Sequence, residues 1–176
     1  PGIPDGCLDI IFNMDGEKND CYLIPSPKKR MNFQFKTGNS YLGIRLKPLQ
    51  SVHGFEISLK DINTSSIFSL FDIAPKYTTF YEQLLNLNTY EEKNQFILSS
   101  MLFNSGPRNL RQYELIKNAL SFIYLQKGTI TPKMLEQKFC YTERYIRMLF
   151  NEMIGTCPKK FIQIAQFQSV VNMMRK

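Results

Sequence analysis

Short stretches of alternating apolar and polar residues, separated by turn residues, occupy roughly the first 60 positions of the chain. A period of two is typical of half-buried β-strands, and Pro25, Pro27 and the pair Gly38-Asn39 stand where such strands stop or turn. The pattern predicts a small antiparallel sheet or a partial barrel. The predicted strands are residues 7–12, 21–24, 32–36, 41–46 and 55–59.

From residue 64 onward the apolar residues recur at the spacing of α-helices. Thr89 is placed to cap the third of these helices, and Glu91 and Glu92 fall in its first turn, where the helix dipole favours acidic side chains. Gly128 is placed to end the fourth. The four helices are predicted over residues 67–71, 77–87, 89–103 and 108–127, the last with Leu115, Ile116, Ala119, Leu120 and Ile123 facing inward.

Charge changes along the chain at residues 104–107, Asn-Ser-Gly-Pro, which are also the strongest linker candidate. Residues 1–106 hold 10 Lys and Arg against 11 Asp and Glu, whereas residues 107–176 hold 12 against 4, so the net charge of +7 arises wholly from the second part. We therefore expect an α+β chain with a β-rich domain over residues 1–105 and an all-α domain over 106–176. The basic second part indicates a polyanionic partner or a solvated basic surface.

A pair of helices is predicted within residues 131–155. Pro132 suits the first position of the first helix. A break follows at Cys140 and Tyr141, and Thr142 is placed to cap the second helix, over residues 143–154. The inward residues of the first helix are predicted to be Met134, Leu135 and Phe139.

The second helix of this pair has two faces. Its inward residues fall at i, i+3, i+4 and i+7, and they are Ile146, Leu149, Phe150 and Met153. The outward residues repeat this spacing, and they are Arg144, Arg147, Met148 and Asn151. An exposed stripe with two arginines near the start of a short capped helix is what reading the major groove of DNA requires. An ordinary solvated amphipathic helix has the same periodicity, so both interpretations stay open.

Composition indicates a soluble globular protein, with 43% hydrophobic and 21% charged residues. No run of 18 apolar residues occurs, and the first residues lack the basic region and long apolar core of a secretory signal. The four cysteines form no C-x-x-C pair, so we expect neither zinc nor disulfides but free, mostly buried thiols in a cytoplasmic protein. They are Cys7, Cys21, Cys140 and Cys157.

Enzyme chemistry has little support in the sequence. His53 is the only histidine, which excludes a multi-histidine metal centre, and no G-x-S-x-G, P-loop or G-x-G-x-x-G motif is present. We expect no catalytic residues, no cofactor and no bound metal. A nucleophile pair of Cys7 or Cys21 with His53 is an alternative only if folding brings the two together.

The helix pair and the segment after it form a recognisable pattern. It is carried by Leu135, Phe139-Cys140-Tyr141-Thr142, Arg147, Phe150, Gly155, Pro158 and Phe161. This pattern resembles the first helix-turn-helix and linking helix of the AraC-type bacterial transcription regulators. The chain departs from the family pattern at five positions. Glu136 stands where the family usually has a small residue, Cys140 where it has a turn glycine, and Cys157 where it has a serine. Gln166 stands where the family commonly has an arginine, and Met148 where it often has a basic residue.

The resemblance implies a regulator of transcription that binds double-stranded DNA. It places Arg144, Arg147 and Met148 against base edges. The residues that it places on phosphates are Thr142, Asn151, Lys159 and Lys160. The second helix-turn-helix of the family is missing from the sequence as given, so we expect a fragment that binds DNA weakly.

The first part of the chain resembles the sensor half of one branch of these regulators, in residues 4–13 and 43–48. This resemblance implies a small-molecule effector, a homodimer and contact with RNA polymerase; which ligand would bind stays unknown. The aromatic residues of the strands either line a ligand cavity or form plain core. They are Phe33, Phe35, Tyr41 and Phe55.

Three further features bear on function. The basic triplet Lys28-Lys29-Arg30 indicates an exposed loop or a second DNA contact, and Arg45 is a candidate partner for a buried Asp9. Asp5 and Asp9 indicate paired carboxylates or, more simply, turn and strand-end residues. A module that keeps the helix pair only as a protein-binding surface is the competing functional class.

Overall fold

The computed structural model describes residues 2–17, 20–27, 30–50, 59, 66–102 and 109–174. Over these ranges the chain has the predicted α+β fold, with one four-stranded antiparallel sheet and seven helices. The strands are β1 Leu8–Asn13, β2 Tyr22–Pro25, β3 Tyr41–Leu46 and β4 Phe68–Ser69. The helices are α1 Leu70–Ile73, α2 Tyr77–Leu85, α3 Tyr90–Leu102, α4 Leu110–Leu125, α5 Pro132–Phe139, α6 Glu143–Met153 and α7 Pro158–Met174.

Strand β1 is the centre of the first core. The strand order is β3-β1-β2-β4, and Ile10 pairs with Leu23 on one side and Ile44 on the other. Leu8, Ile10 and Phe12 alternate along β1 and are buried, as a strand with one face on a core requires. The predicted strands over 7–12, 21–24 and 41–46 are therefore confirmed to within one residue.

Two sequence predictions in this part are wrong. Residues 32–36 are not a strand, because Phe33 packs edge-on against Tyr22 at 5.0 Å and against Phe35 at 4.6 Å in an aromatic cluster. The predicted helix over 67–71 starts only at Leu70, because the two residues before it pair with β2 as strand β4. In both places a tertiary contact overrides the local pattern.

Helices α1, α2 and α3 contribute to the same core as the sheet. Tyr81 of α2 is fully buried, stacks on Phe12 at 5.9 Å and donates a hydrogen bond to the carbonyl oxygen of Asn13 at 2.5 Å. At the start of α3, Thr89 Oγ1 accepts from the N–H of Glu92 at 3.2 Å, while Glu92 Oε2 accepts from the N–H of Thr89 at 3.0 Å. This reciprocal cap confirms the role predicted for Thr89.

The remaining helices build a second core. All five residues predicted to face inward on α4 are buried, and Asn109 caps this helix by accepting from the N–H of Gln112 at 3.1 Å. The turn after α4 needs Gly128, which has φ +73, because a Cβ there would lie 2.4 Å from the backbone nitrogen of Gln166 in α7. Gly128 thus lets α7 pass directly over the end of α4.

The sheet part and the helical part touch through the N-terminal segment. Gly6 lies against α7, where a Cβ would be 2.9 Å from Cε2 of Phe161. Gln168 Nε2 donates to the carbonyl oxygen of Pro4 at 2.5 Å. Leu49, which follows β3, is buried in the core of the helical part.

Several predicted features lie outside the described residues. They are the strand over 55–59 except Leu59 (which lies in a turn), the linker 104–107, the end of the third helix at Phe103, Lys28, Lys29, Phe55 and His53.

None of the helices over the described ranges is long and apolar enough to cross a membrane. In the same ranges no three His, Cys, Asp or Glu side chains are grouped so that they would hold a metal ion. All four cysteines are free, as predicted, but the expectation that most are buried is wrong. Cys21 is buried, Cys7 and Cys157 are half-buried, and Cys140 is exposed because it occupies a turn.

Candidate nucleic-acid interface

The turn between α5 and α6 is three residues long and depends on Cys140. Cys140 has φ 57 and ψ 32, the left-handed conformation that favours glycine, and its N–H donates to the carbonyl oxygen of Glu136 at 2.9 Å. A residue with a side chain is strained there. The conformation explains why a glycine is expected at this point of the pattern, and it shows that Cys140 adopts the backbone a glycine would.

Two side chains fix the start of α6. Thr142 has an extended backbone, and its Oγ1 accepts from the N–H of Tyr145 at 3.3 Å, which confirms the predicted N-cap. Glu136, on the preceding helix, accepts from the N–H of Glu143 at 3.4 Å through Oε1. The carboxylate of Glu136 also faces the positive end of the α6 dipole. The two helices are therefore joined by side-chain contacts as well as by the turn.

The inner face of α6 anchors it in the second core. Ile146, Leu149, Phe150 and Met153 are buried, as predicted, and Phe150 packs edge-on against Phe161 of α7 at 6.1 Å. Tyr145 accepts a hydrogen bond from Gln112 Nε2 of α4 at 3.1 Å and stacks on Tyr141 at 5.4 Å. These contacts fix the rotation of α6 about its own axis. The opposite face is consequently held outward.

On α5 one predicted inward residue is misplaced. Leu135 is buried and Phe139 half-buried against Phe122, at a ring distance of 6.3 Å. Met134 is 40% exposed, because Leu135 and Phe139, four residues apart, define the inner stripe and leave Met134 at its edge.

The outer face of α6 consists of Arg144, Arg147, Met148 and Asn151, and all four are exposed. Their spacing of three and four residues places them on one side of the helix. Among the residues that the structure describes, no carboxylate forms an ion pair with either arginine. Each guanidinium therefore keeps its planar fork of N–H donors available for an external acceptor.

The four candidate phosphate ligands occupy three places. Thr142 is exposed at the start of α6, and Asn151 lies at the far end of the outer face. Lys159 and Lys160 are exposed in the first turn of α7. Lys160 also lines a cavity against the sheet part. The structure thus unites Thr142 and Asn151 with the arginines on α6 and places the two lysines on a separate helix.

Two basic residues of the sheet part, Arg45 and Lys36, are neutralised by carboxylates, unlike the arginines of α6. Arg45 makes a two-pronged contact with Asp9, with both N···O distances 2.8 Å, and a further ion pair with Asp5 at 3.3 Å. This confirms the predicted partner of Arg45, although Asp9 is partly exposed rather than buried. Lys36 pairs with Asp20 and with Glu17. These carboxylates raise the pKa of both cations above its ordinary value, hydrogen bonding being the main cause.

The other candidates do not converge on a site. Phe35 contacts both Phe33 and Tyr41, at ring distances of 4.6 Å, and none of the three lines the cavity that Lys160 lines. Burial and the neighbouring Asp5 raise the pKa of Cys7 to about 11. The Cys7 thiol therefore stays protonated at neutral pH, which makes it a poor nucleophile.

Sequence reasoning missed two features of this region. One is the capping of α6 by Glu136, for which the signal was an acidic residue seven positions before the first turn of the next helix. The other is the cavity between the sheet part and α7, for which no sequence signal exists because segments far apart in the chain form it.

Comparison of the chain with protein-family models, with curated proteins and with solved structures finds no match.

Proposed function

We propose that this chain acts as a bacterial transcription regulator of the AraC type, in which α5 and α6 form a helix-turn-helix and α6 enters the major groove of double-stranded DNA. The observation that carries the proposal is the outer face of α6, where Arg144 and Arg147 are exposed and free of ion pairs over the described residues. The buried inner face and the two caps hold this face outward. A groove-reading helix needs such fixed orientation.

Base contact is assigned to three residues of this face. Arg144 and Arg147 each offer two parallel donors, which match the two major-groove acceptors of guanine and contribute about 1–3 kcal/mol of discrimination per contact. Met148 is 46% exposed and offers an apolar contact to a thymine methyl group. The predicted recognition sequence therefore contains guanine at two positions.

Phosphate contact is assigned to Thr142, Asn151, Lys159 and Lys160. The hydroxyl of Thr142 uses its oxygen to cap α6, and its hydrogen remains for a phosphate oxygen. The lysines supply charge at the N-terminus of α7, where the helix dipole favours anions. Because phosphate contact releases counterions, each lysine is expected to contribute nearly one unit to the salt dependence of binding.

The regulatory roles are assigned to the sheet part. The sheet part would sense a small-molecule effector and form a homodimer, and the regulator would contact RNA polymerase in the cytoplasm. The effector would act by shifting the dimer geometry or the DNA-binding competence of the helical part. The resemblance of residues 4–13 and 43–48 to a sensor half supports this assignment.

The experiment is a selection of bound duplexes from a randomised pool, followed by titration of the selected duplex at several salt concentrations. We expect a recurring sequence with guanines and an affinity that falls linearly with salt on a logarithmic scale. The variant Lys159→Gln is expected to lower the slope by about 0.9, whereas Lys47→Gln, which removes one exposed charge from the sheet part, leaves it unchanged. Binding that does not depend on salt contradicts the proposal.

A protein-interaction module is the second candidate. It is favoured by the exposed apolar residues along the outer side of α7, which are Phe167, Val170, Met173 and Met174. Under this function the selection recovers no recurring sequence, and replacing Arg144 and Arg147 leaves any residual DNA affinity unchanged. The same selection and binding measurements therefore distinguish the two functions.

A further inference from the structure

A cavity of ≈ 600 Å³ lies between the sheet part and the helical part. Its walls come from the N-terminal segment, the end of β2, the residues after β3, the connection between α6 and α7, and the first half of α7. The volume falls in the range of about 300–1,000 Å³ of small-molecule sites, which often occur where two structural units meet. Six apolar residues that represent both sides are Leu8, Pro25, Leu49, Leu59, Ile164 and Phe167.

Two polar side chains of the cavity wall, Ser26 and Cys7, carry no charge. Ser26 Oγ accepts from the N–H of Asp5 at 3.2 Å and from the N–H of Gly6 at 2.8 Å. Burial keeps the Cys7 thiol neutral by raising its pKa to about 11. Neither side chain therefore supplies a charge to this space.

Two cations line the cavity, one from each side. They are Arg30 of the sheet part and Lys160 of α7; both are exposed, and no carboxylate pairs with either over the described ranges. The described lining contains no Asp or Glu. Both carboxylate oxygens of the nearby Asp5 already have partners: one accepts a hydrogen bond from the N–H of Cys7 at 2.9 Å, and the other forms an ion pair with Arg45. The lining thus combines an apolar wall with an unbalanced positive charge.

We propose that this cavity binds a small organic anion with an apolar body, whose charged group is held by Arg30 and Lys160. The apolar body is removed from water by the walls, and the anion completes charge-assisted hydrogen bonds with the two cations. Ile154, Gly155 and Thr156, which connect α6 to α7, also line the cavity. A bound anion would therefore contact the segment that positions α6, and it would engage the same Lys160 that is assigned to a phosphate.

Binding in this cavity does not depend on the proposed DNA-binding function, although its role as an effector site does. The test is accordingly made without DNA. It uses anilinonaphthalene sulfonate, an apolar dye with one sulfonate, and its uncharged parent, phenylnaphthylamine, as fluorescent probes of the protein. We expect saturable binding of one dye molecule per chain, with tighter binding of the anionic probe.

Variants locate the probe. Arg30→Gln with Lys160→Gln is expected to weaken binding of the anionic dye by about tenfold or more and to leave the uncharged dye unaffected. Lys159→Gln is the matched control, because Lys159 lies in the same helical turn but does not line the cavity, and it is expected to change neither affinity.

Filling the cavity with Ile164→Trp is expected to abolish binding of both dyes. If this variant fails to fold, Phe167→Ala replaces it, since Phe167 is 44% exposed and its truncation is expected to weaken both dyes while preserving the fold. Equal affinity for the two dyes, or binding that none of these variants changes, overturns the proposal.

Discussion

Glu136 of α5 accepts a hydrogen bond from the backbone N–H of Glu143, the first residue of α6. The contact crosses the turn between the two helices and compensates one of the N–H groups that have no partner within a helix. It gives a function to an acidic side chain at a position where a small one would be expected. The turn, the cap and this contact together determine how α6 presents its outer face.

The cap at the start of α6 is expected to contribute measurably to stability. Replacing Thr142 with alanine removes the acceptor for the N–H of Tyr145 and should lower the free energy of unfolding by about 1 kcal/mol. Thr142→Ser keeps the hydroxyl and should stay close to the parent. Urea unfolding measures both, and equal stability of the alanine and serine variants would show that the cap contributes nothing.

Cys140 should be a position where glycine stabilises. Its left-handed backbone strains any residue with a Cβ, and relief of that strain exceeds the extra freedom that glycine gives the unfolded chain, so Cys140→Gly should raise the free energy of unfolding by roughly 0.5–1 kcal/mol. Cys140→Ala removes the thiol but keeps the strain and serves as control. A glycine variant no more stable than the alanine variant in thermal unfolding would contradict the prediction.

The contact between the sheet part and α7 can be tested with two glycines. Gly6→Ala would place a Cβ 2.9 Å from Phe161 at φ +78, whereas Gly16→Ala has the same kind of backbone, at φ +86, with no atom within 4 Å. The strain of an alanine at positive φ is common to both variants. The difference between their free energies of unfolding therefore measures the contact of the added Cβ with Phe161. We expect Gly6→Ala to be the less stable by about 1–3 kcal/mol in urea unfolding. Equal losses would mean that Phe161 does not face Gly6.

Glu92 should make the stability of the sheet part depend on pH. Hydrogen bonds from the N–H groups of Thr89 and Asn88 hold the pKa of Glu92 below its usual value of 4.5. Because the folded pKa is the lower one, the stabilisation is complete above the unfolded pKa and is lost as the pH falls through the folded value. Glu92→Gln should therefore melt at a lower temperature than the parent at pH 7. This difference in melting temperature should disappear when the pH falls below the folded pKa of Glu92.

Glu91→Gln is the matched control for this effect. It removes one acidic charge from the same first turn of α3 but leaves the hydrogen bonds of Glu92 in place. Two results would contradict the assignment. One is a difference in melting temperature between the parent and Glu92→Gln that persists in acid. The other is the same full difference for Glu91→Gln.

Local features of this fold could be predicted from the sequence, and features that depend on distant contacts could not. The inward residues of α4 and α6 follow from helical spacing alone, as does the cap at Thr142, because each involves neighbours in the sequence. The alternation over residues 32–36 was misleading, since Phe33 and Phe35 satisfy the pattern of a strand while packing as an aromatic cluster. Short apolar stretches do not distinguish the two arrangements.

The same limit applies to the sites. The outer face of α6 could be identified because its residues lie within two turns of one helix. The cavity that Arg30 and Lys160 line could not, since the two residues are distant in sequence and the cavity forms only when the sheet part packs on α7, as Gly6 does on Phe161.

The DNA-reading role of α6 is tested most directly by the affinity of the selected duplex for Arg147→Gln, Arg144→Gln and the control Lys47→Gln. We expect each arginine variant to bind that duplex about 1–3 kcal/mol more weakly than the parent and to bind a scrambled duplex with little change, while Lys47→Gln matches the parent on both. Equal affinity of the arginine variants and the parent for the selected duplex would contradict this role.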